Sequence, residues 1–397
     1  HWDNGLADTE GWLEAARPWP FAPDAGLLRI TAGATSIRAL KLPMRQAAAA
    51  ARALLCAEAA DRWGVSAAEC DTNGGFVRHE GKSLPFAALA EGASQRPLPG
   101  GDIPLRASAG ELAGKPLARL DALPKAEGRL RFAGDVRLPR LLHASIRRAG
   151  AGSVRIDSPP PRGVTFESGE GWVAAIAEDW WSAERALAAA RVRIFGPADG
   201  DDAAISAALD LALASDDNET LHSVGDIDDA FAGIRPLAAT YSAAAQVHHD
   251  LEPPSATARL QGGLLEVWAA SQAPEFARRA AAKAAGVSRG QTLLYPMPVG
   301  GQSGAALEAD MVPIAAALTR RTGRPVQATA SRTEQLRSDA VRSPLKARLL
   351  ARPLPDGSIA GWRMRLAGGD GTADAIAPLL GGEVGGVRQA ALVPLAY

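Results

Sequence analysis

Cysteine is nearly absent, with only Cys56 and Cys70 in 397 residues. Two thiols cannot ligate an iron–sulfur cluster or build a thiolate zinc site, so this chain alone is expected to hold neither. Visible absorption typical of a cluster, from the chain purified alone, would overturn that expectation. An excess of one charge is lacking too: 43 basic residues face 44 acidic ones. No broad basic surface is left for nucleic acid or anionic lipid. No apolar run is long enough to span a bilayer. There is also no Ser-His-Asp triad signature, Walker loop or dinucleotide fingerprint. The start at His1-Trp2 reads as processed or trimmed and carries no address.

Hydrophobic residues make up 47% and charged residues 22%, a folded rather than disordered composition. The length fits two or three domains. With 41 Gly and 28 Pro, many short elements joined by tight turns are predicted. Strong helix formers from Met44 to Trp63, closed by Gly64, predict a helix in which Cys56 is a small buried apolar residue. Ser66 with Glu69 predicts a capping box. Asn73-Gly74-Gly75 and Glu80-Gly81-Lys82 predict two hairpin turns. The Gly-, Pro- and Ser-rich stretch 91–115 reads as a linker.

Beyond the linker, strands are predicted at 141–147 and 172–177, a helix at 182–190 and a strand at 192–194, together a compact α+β unit. The acidic stretch around Asp199, Asp201 and Asp202 reads as a solvated face with one helix, 203–214. Strands follow at 238–243, 256–260 and 264–268. A helix at 274–285 is closed by Gly286, and Ser288 with Gln291 predicts a second capping box. A helix over 306–322 ends at Gly323 and leads into a strand at 326–330. Residues 1–100 carry too little alternating apolar strand to close a core and are expected to pack on 226–397.

Two small-residue turns are candidate sites. Val299-Gly300-Gly301-Gln302-Ser303-Gly304 lies between a strand (292–295) and the predicted helix at 306. Its glycines allow close backbone approach to a ligand, and a helix start would offer free N–H groups; a plain turn remains the alternative. Thr31-Ala32-Gly33-Ala34-Thr35-Ser36 precedes a helix and could cradle a phosphate or simply cap it. His248, His249, Asp250 and Glu252 invite a metal reading. Adjacent histidines in extended chain point to opposite faces, so these residues read instead as a solvated turn at Glu252-Pro253-Pro254. Trp180-Trp181 reads as packing.

Ordered segments of the chain resemble the molybdopterin-binding large subunits of the xanthine dehydrogenase/aldehyde oxidase superfamily. The likeness is to the isoquinoline 1-oxidoreductase and bacterial aldehyde dehydrogenase branches. It is carried by residues 31–38, Pro43-Met44-Arg45-Gln46, Arg62-Trp63-Gly64-Val65, 124–129, 134–139 and Val224-Gly225-Asp226. Glu252-Pro253, Trp268 through Gln272, Gly300-Gly301, Leu307-Glu308, Asp310 and Gly323-Arg324-Pro325-Val326 complete the set. The resemblance implies an α+β fold in which segments of the molybdenum-binding region (1–100 and 226–397) flank a small α/β hammerhead domain (115–196). It implies hydroxylation of an aldehyde or N-heterocycle with water as oxygen source. The implied cofactor is molybdenum with molybdopterin cytosine dinucleotide, shared with parts of the subunit outside this chain. The implied partners are a small [2Fe-2S] subunit and, in some members, a cytochrome c subunit, in a bacterial periplasm or cytoplasm.

The cofactor-binding residues implied are Gly300, Gly301, Gln302, Ser303, Gly304, Gln272, Gly33, Thr35 and Ser36. The base carboxylate is expected in a segment outside this chain, so no residue here is named catalytic. Gln302 and Ser303 stand where the family has Gly and Phe, and Ala305 and Ala306 where it has basic residues. The loss of positive charge predicts weaker cofactor retention, and Ala306→Arg is expected to strengthen it. A second reading is a catalytically incomplete paralogue serving as an assembly module. A third is an unrelated ligand-binding module.

Overall fold

The computed structural model describes residues 31, 35–98, 100, 102–106, 114–150, 152–196, 201–218, 220, 222–302, 304–307, 309–339 and 341–368, with backbone alone at 35–39. Its contacts divide the chain into two compact units, one of them Thr31–Leu130 and the other containing Arg131–Tyr397. Among the described residues the fold is mixed α+β, with sheets of seven, three, three and two strands.

The smaller unit begins with α1 (Thr35–Trp63). The sequence predicts its start at Met44, but the helix runs through Pro43. A proline removes a single N–H, and helix-forming residues flank it on both sides. Gly64, at φ 68°, ends α1, and Val65 N–H donates back to the Ala60 carbonyl. The Ser66 hydroxyl accepts from Ala68 N–H rather than forming the predicted box with Glu69. Strands β1 (Asp71–Asn73), β2 (Phe76–His79) and β3 (Lys82–Pro85) form an antiparallel meander. Both of its turns are as predicted, with Gly74, Gly75, Glu80 and Gly81 all at positive φ. Helix α2 (Phe86–Ser94) enters the stretch read as linker, and α3 (Ala122–Ala126) follows it. Cys56, Ala59, Val77 and Leu89 form a small core, so this unit closes an apolar cluster of its own. Burial raises the Cys56 thiol pKa, with Cys70 adding to the rise.

The larger unit opens with β4 (Leu142–Arg148), β5 (Ser153–Ile156), β6 (Thr165–Gly169) and β7 (Trp172–Ala177). Next come α4 (Trp180–Ala189), β8 (Val192–Phe195), α5 (Asp202–Ala214) and α6 (Ile227–Phe231). Then follow β9 (Leu237–Ala243), β10 (Ser255–Gln261), β11 (Leu264–Ala269), α7 (Pro274–Ala285) and β12 (Thr292–Pro296). The series ends with α8 (Met311–Thr322), β13 (Val326–Thr329), α9 (Arg332–Ser338), β14 (Leu345–Pro353) and β15 (Ile359–Gly368).

The seven-stranded sheet has the order β12-β11-β10-β13-β4-β7-β6. It joins strands from the segments 115–196 and 226–397 into one sheet through the parallel pair β13–β4. Helices α7 and α8 bury Ala277, Ala281, Ile314 and Leu318 against Ala256, Val267 and Val326. Strand β7 is covered on both faces. Ala174 and Ile176 enter that core, while Val173, Ala175 and Ala177 meet Ala183 and Leu187 of α4. Burial on both faces explains why this strand reads as an unbroken apolar run. Strands β9, β14 and β15 make a separate antiparallel sheet.

Candidate functional site

Registry brings several chain ends together at one end of the seven-stranded sheet. Ser255, which opens β10, pairs with Thr329 at the end of β13, and Ala256 pairs with Ala269 at the end of β11. Strand β12 runs parallel to β11, and β4 runs parallel to β13. The carboxyl ends of β4, β11, β12 and β13 therefore meet the segment entering β10. Carboxyl ends of strands are where open α/β sheets commonly place ligands.

The loop after β12 is held by the segment before β10. Gly300 N–H donates to the Glu252 carboxylate at 3.1 Å, and Glu252 N–H donates to the Gly300 carbonyl at 3.0 Å. Leu251 N–H reaches the Gly301 carbonyl at 3.4 Å. A Cβ at Gly300 would lie 2.6 Å from Glu252 Cβ and closer still to Glu252 Oε2, so this position tolerates only glycine. Gly301 needs φ 76° and Gly304 φ 115°, the latter beside His248 Nε2. Glu252 is not a solvated turn residue as its sequence context suggested. Burial raises its carboxyl pKa, opposed by N–H groups of Gly134, Gly300 and Ala133.

Beside the loop lies a pocket of about 40 Å³. Asp250, Gln302, Gln335, Arg148, Asp310 and Ser338 line its polar side, and Ala269, Ala270, Ala305 and Ala306 its apolar side. Asp250 and Gln335 are each 1% exposed. Among the described residues, the Asp250 carboxylate oxygens, the Gln335 side-chain nitrogen and Arg148 Nε make no hydrogen bond of full geometry, although the Gln335 side chain lies close enough to the Asp250 carboxylate to act on it as a weak donor. Each such orphan costs on the order of 1–3 kcal/mol. The Asp250 carboxyl pKa is raised, first by burial and then by Asp339; His248, Arg332 and a weak hydrogen bond from the Gln335 side chain oppose the rise.

The terminal nitrogens of the nearby cations are committed elsewhere, while Arg148 Nε has no hydrogen-bond partner among the described residues. Arg148 binds Asp310, and its second terminal nitrogen donates to Ser338 Oγ at 2.7 Å. Arg332 donates to the backbone carbonyls of Asp250 and Leu251 and to Gln335 Oε1. Buried Glu334 accepts from Arg148 N–H at 2.7 Å and from Arg337, which fixes α9 against β4. His248 is oriented by Asp339, whose carboxylate lies 3.2 Å from Nδ1. His249 and Ala309 sit at φ 50° and 46°, so two non-glycine residues beside the pocket hold left-handed backbone. Among the described residues, no group of three His, Cys, Asp or Glu side chains could hold a metal ion.

The structure gathers Gly300, Gly301, Gln302 and Gly304 in one loop, with Gln302 buried at the pocket wall. Gln272 joins them by donating its backbone N–H to the Ala306 carbonyl at 3.0 Å. Gly33 and Ser303 lie outside the described residues. Thr35 and Ser36 open α1 in the smaller unit.

Two expectations are corrected. The predicted helix at 306 is a 3-10 turn, Ala305–Leu307, followed by a break before α8. The loop therefore does not run straight into a helix start with free N–H groups. Ala306 is also buried at 3% exposure rather than placed to present a cation. Ala306→Arg is accordingly expected to overpack the wall and cost about 1–3 kcal/mol. A urea unfolding midpoint at or above that of the parent chain would contradict this. The sequence reading missed Gln335, Arg148, Ser338 and Asp339, and took Asp250 for a solvated turn residue. Asp310 was quoted only as a carrier of the family resemblance.

Residues 213–384 match the model of the molybdopterin cofactor-binding domain. These residues are similar to molybdopterin cofactor-binding domains. The matched segment contains the loop, Asp250, Gln302 and Gln335. The chain is 27% identical over 336 residues to a nicotinate dehydrogenase subunit of Pseudomonas putida, covering 79% of this chain and 28% of that protein. It is 25% identical over 349 residues to a membrane-bound aldehyde dehydrogenase (pyrroloquinoline-quinone) of Gluconacetobacter polyoxogenes, covering 81% of this chain and 45% of that protein. The chain thus spans less than half the length of both relatives. Among solved structures, quinoline 2-oxidoreductase from Pseudomonas putida 86 overlays with a TM-score of 0.46 at 17% identity, covering 63% of this chain and 38% of that one. Among the described residues, no helix is long and apolar enough to cross a membrane.

Proposed function

We propose that the chain is part of the large subunit of a molybdenum hydroxylase, serving to bind and orient the cofactor. The observation that carries this reading is that the loop Gly300 to Gly304, whose glycines are required by close approach and positive φ, lies within the matched domain and borders a polar pocket. In this reading 1–100 and 226–397 belong to the molybdenum-binding region and 115–196 to the hammerhead domain. The cofactor is molybdopterin cytosine dinucleotide, the substrate an aldehyde or N-heterocycle, and a [2Fe-2S] subunit takes the electrons, with a cytochrome c subunit as a further acceptor.

The described pocket fits the group only in part. Its carboxylate and amide suit the polar edge of a ring. Its volume of about 40 Å³ is far below the several hundred Å³ of a cofactor-sized site. No cation with an uncommitted terminal nitrogen lines it to receive a phosphate. When bound, molybdenum held by its pterin would supply the oxygen-transfer chemistry. Gly300, Gly301 and Gly304 would let backbone come close, and Gln302 and Gln335 would orient polar atoms.

The small, carboxylate-lined pocket favours a second reading, an assembly module that keeps the fold without the cofactor. Metal and pterin analysis of the purified complex separates the two. Molybdenum and pterin in near-equal amount to the subunit are expected. An assembled complex free of both would leave the module reading in place.

A further inference from the structure

Strand β9 is an open edge. In the order β15-β14-β9 its outer side pairs with no strand among the described residues. None of its seven residues is buried, and Leu237 and Tyr241 stand 67% and 61% exposed. An exposed edge offers a row of backbone N–H and C=O groups to any other strand, and proteins blunt such edges with charge, proline or a bulge. The other edge strands among the described residues carry at least one of these. Glu167 lies in β6, Pro296 ends β12, and Arg363 and Arg365 lie in β15, whose pairing with β14 also contains a register shift. Strands β1, β3, β5 and β8 each hold a charged residue. By contrast, β9 reads Leu-Ala-Ala-Thr-Tyr-Ser-Ala, with no charge and no proline, and it pairs with β14 without a shift.

This edge is complementary to itself. A two-fold axis at Thr240, the central residue, sets two copies antiparallel, with residues 237, 238 and 239 of one opposite 243, 242 and 241 of the other. On one face Leu237 then meets Ala243 and Tyr241 meets Ala239, so each large side chain lies beside a small one. On the other face Ala238 meets Ser242, and Thr240 meets its own copy in a favourable threonine pair. Moving the axis to Ala239 sets Leu237 against Tyr241, and moving it to Tyr241 sets that ring against itself. We propose that β9 is an interaction surface for a second copy of this chain, joining two β15-β14-β9 sheets into one six-stranded sheet. Pairing satisfies the open backbone groups of both edges and takes Leu237 and Tyr241 out of water. A seam this narrow buries less than the roughly 800 Å² per partner of a standard interface, so the pairing is reversible.

Sedimentation equilibrium of the 397-residue chain tests it. The parent is expected to pass from the mass of one chain to twice that mass between about 1 and 100 µM. Thr240 is exposed, so Thr240→Lys and Thr240→Glu leave one copy's packing in place, but each opposes like charges at the axis. Either variant alone is expected to raise the dimer dissociation constant about tenfold or more. Mixed one to one, the two variants set opposite charges across the axis and are expected to regain the parent's association. That recovery keeps the test sharp, because a variant that had merely failed to fold would not be rescued by its opposite. A parent that stays monomeric across the range overturns the proposal, and is the result expected if β9 instead takes an unlike strand. So does a dimer that both variants leave unchanged, or a mixture that associates no better than either variant alone.

Discussion

Gly300→Ala is expected to destabilise the larger unit by about 1–3 kcal/mol, although alanine normally favours folding over glycine. The reason is local. A Cβ there would meet both the Cβ and the carboxylate of Glu252, and the Cβ cannot swing away as the end of a flexible chain could. Glu252→Ala is also expected to be destabilising, by about 1.5–3 kcal/mol, since Gly300 N–H and Gly134 N–H lose a carboxylate acceptor. The double variant should be more stable than the sum predicts, because removing Glu252 removes the clash. A coupling of roughly 0.5–3 kcal/mol is expected from denaturant midpoints at constant slope. Strict additivity would show that Gly300 and Glu252 do not constrain each other. The pair would then not be what holds the loop in place.

That coupling also marks what the sequence could reveal. Local chemistry was legible. Gly64, Gly286 and Gly323 end their helices at φ 68°, 64° and 64°, and the Ser288–Gln291 box forms as its spacing predicts. Strand β7 and helix α7 also fall where their patterns place them, because each is decided by neighbours within a few residues. The loop was legible as a glycine-rich turn, but its partner was not. Glu252 lies 48 residues from Gly300, and only the strand order β12-β11-β10 puts them side by side. Asp250 was read as a solvated flank for the same reason. Charge predicts exposure unless a distant segment covers it, and here α9 with Gln302, Ala305, Ala306 and Ala309 does so. The helix predicted from Ala306 failed for a different reason. Apolar periodicity runs through the segment, but Ala309 adopts left-handed backbone and interrupts it before Met311.

Asp250→Asn is expected to stabilise the protein at neutral pH by on the order of 1–3 kcal/mol, a rise of a few degrees in Tm. Burial raises the Asp250 carboxyl pKa above its ordinary value of 3.8, and nearby Asp339 adds to the rise. His248, Arg332 and Gln335 face the same group and oppose it without cancelling it. With the folded pKa above the unfolded one, the native state binds more protons between those two values. Stability therefore falls as pH rises through that window, and the full penalty is present above the folded pKa. The asparagine variant has no such window. Its advantage in Tm should be small near pH 3, grow upward from about pH 4 and then level off. A loss of stability at neutral pH would mean instead that the ionised carboxylate has a stabilising partner.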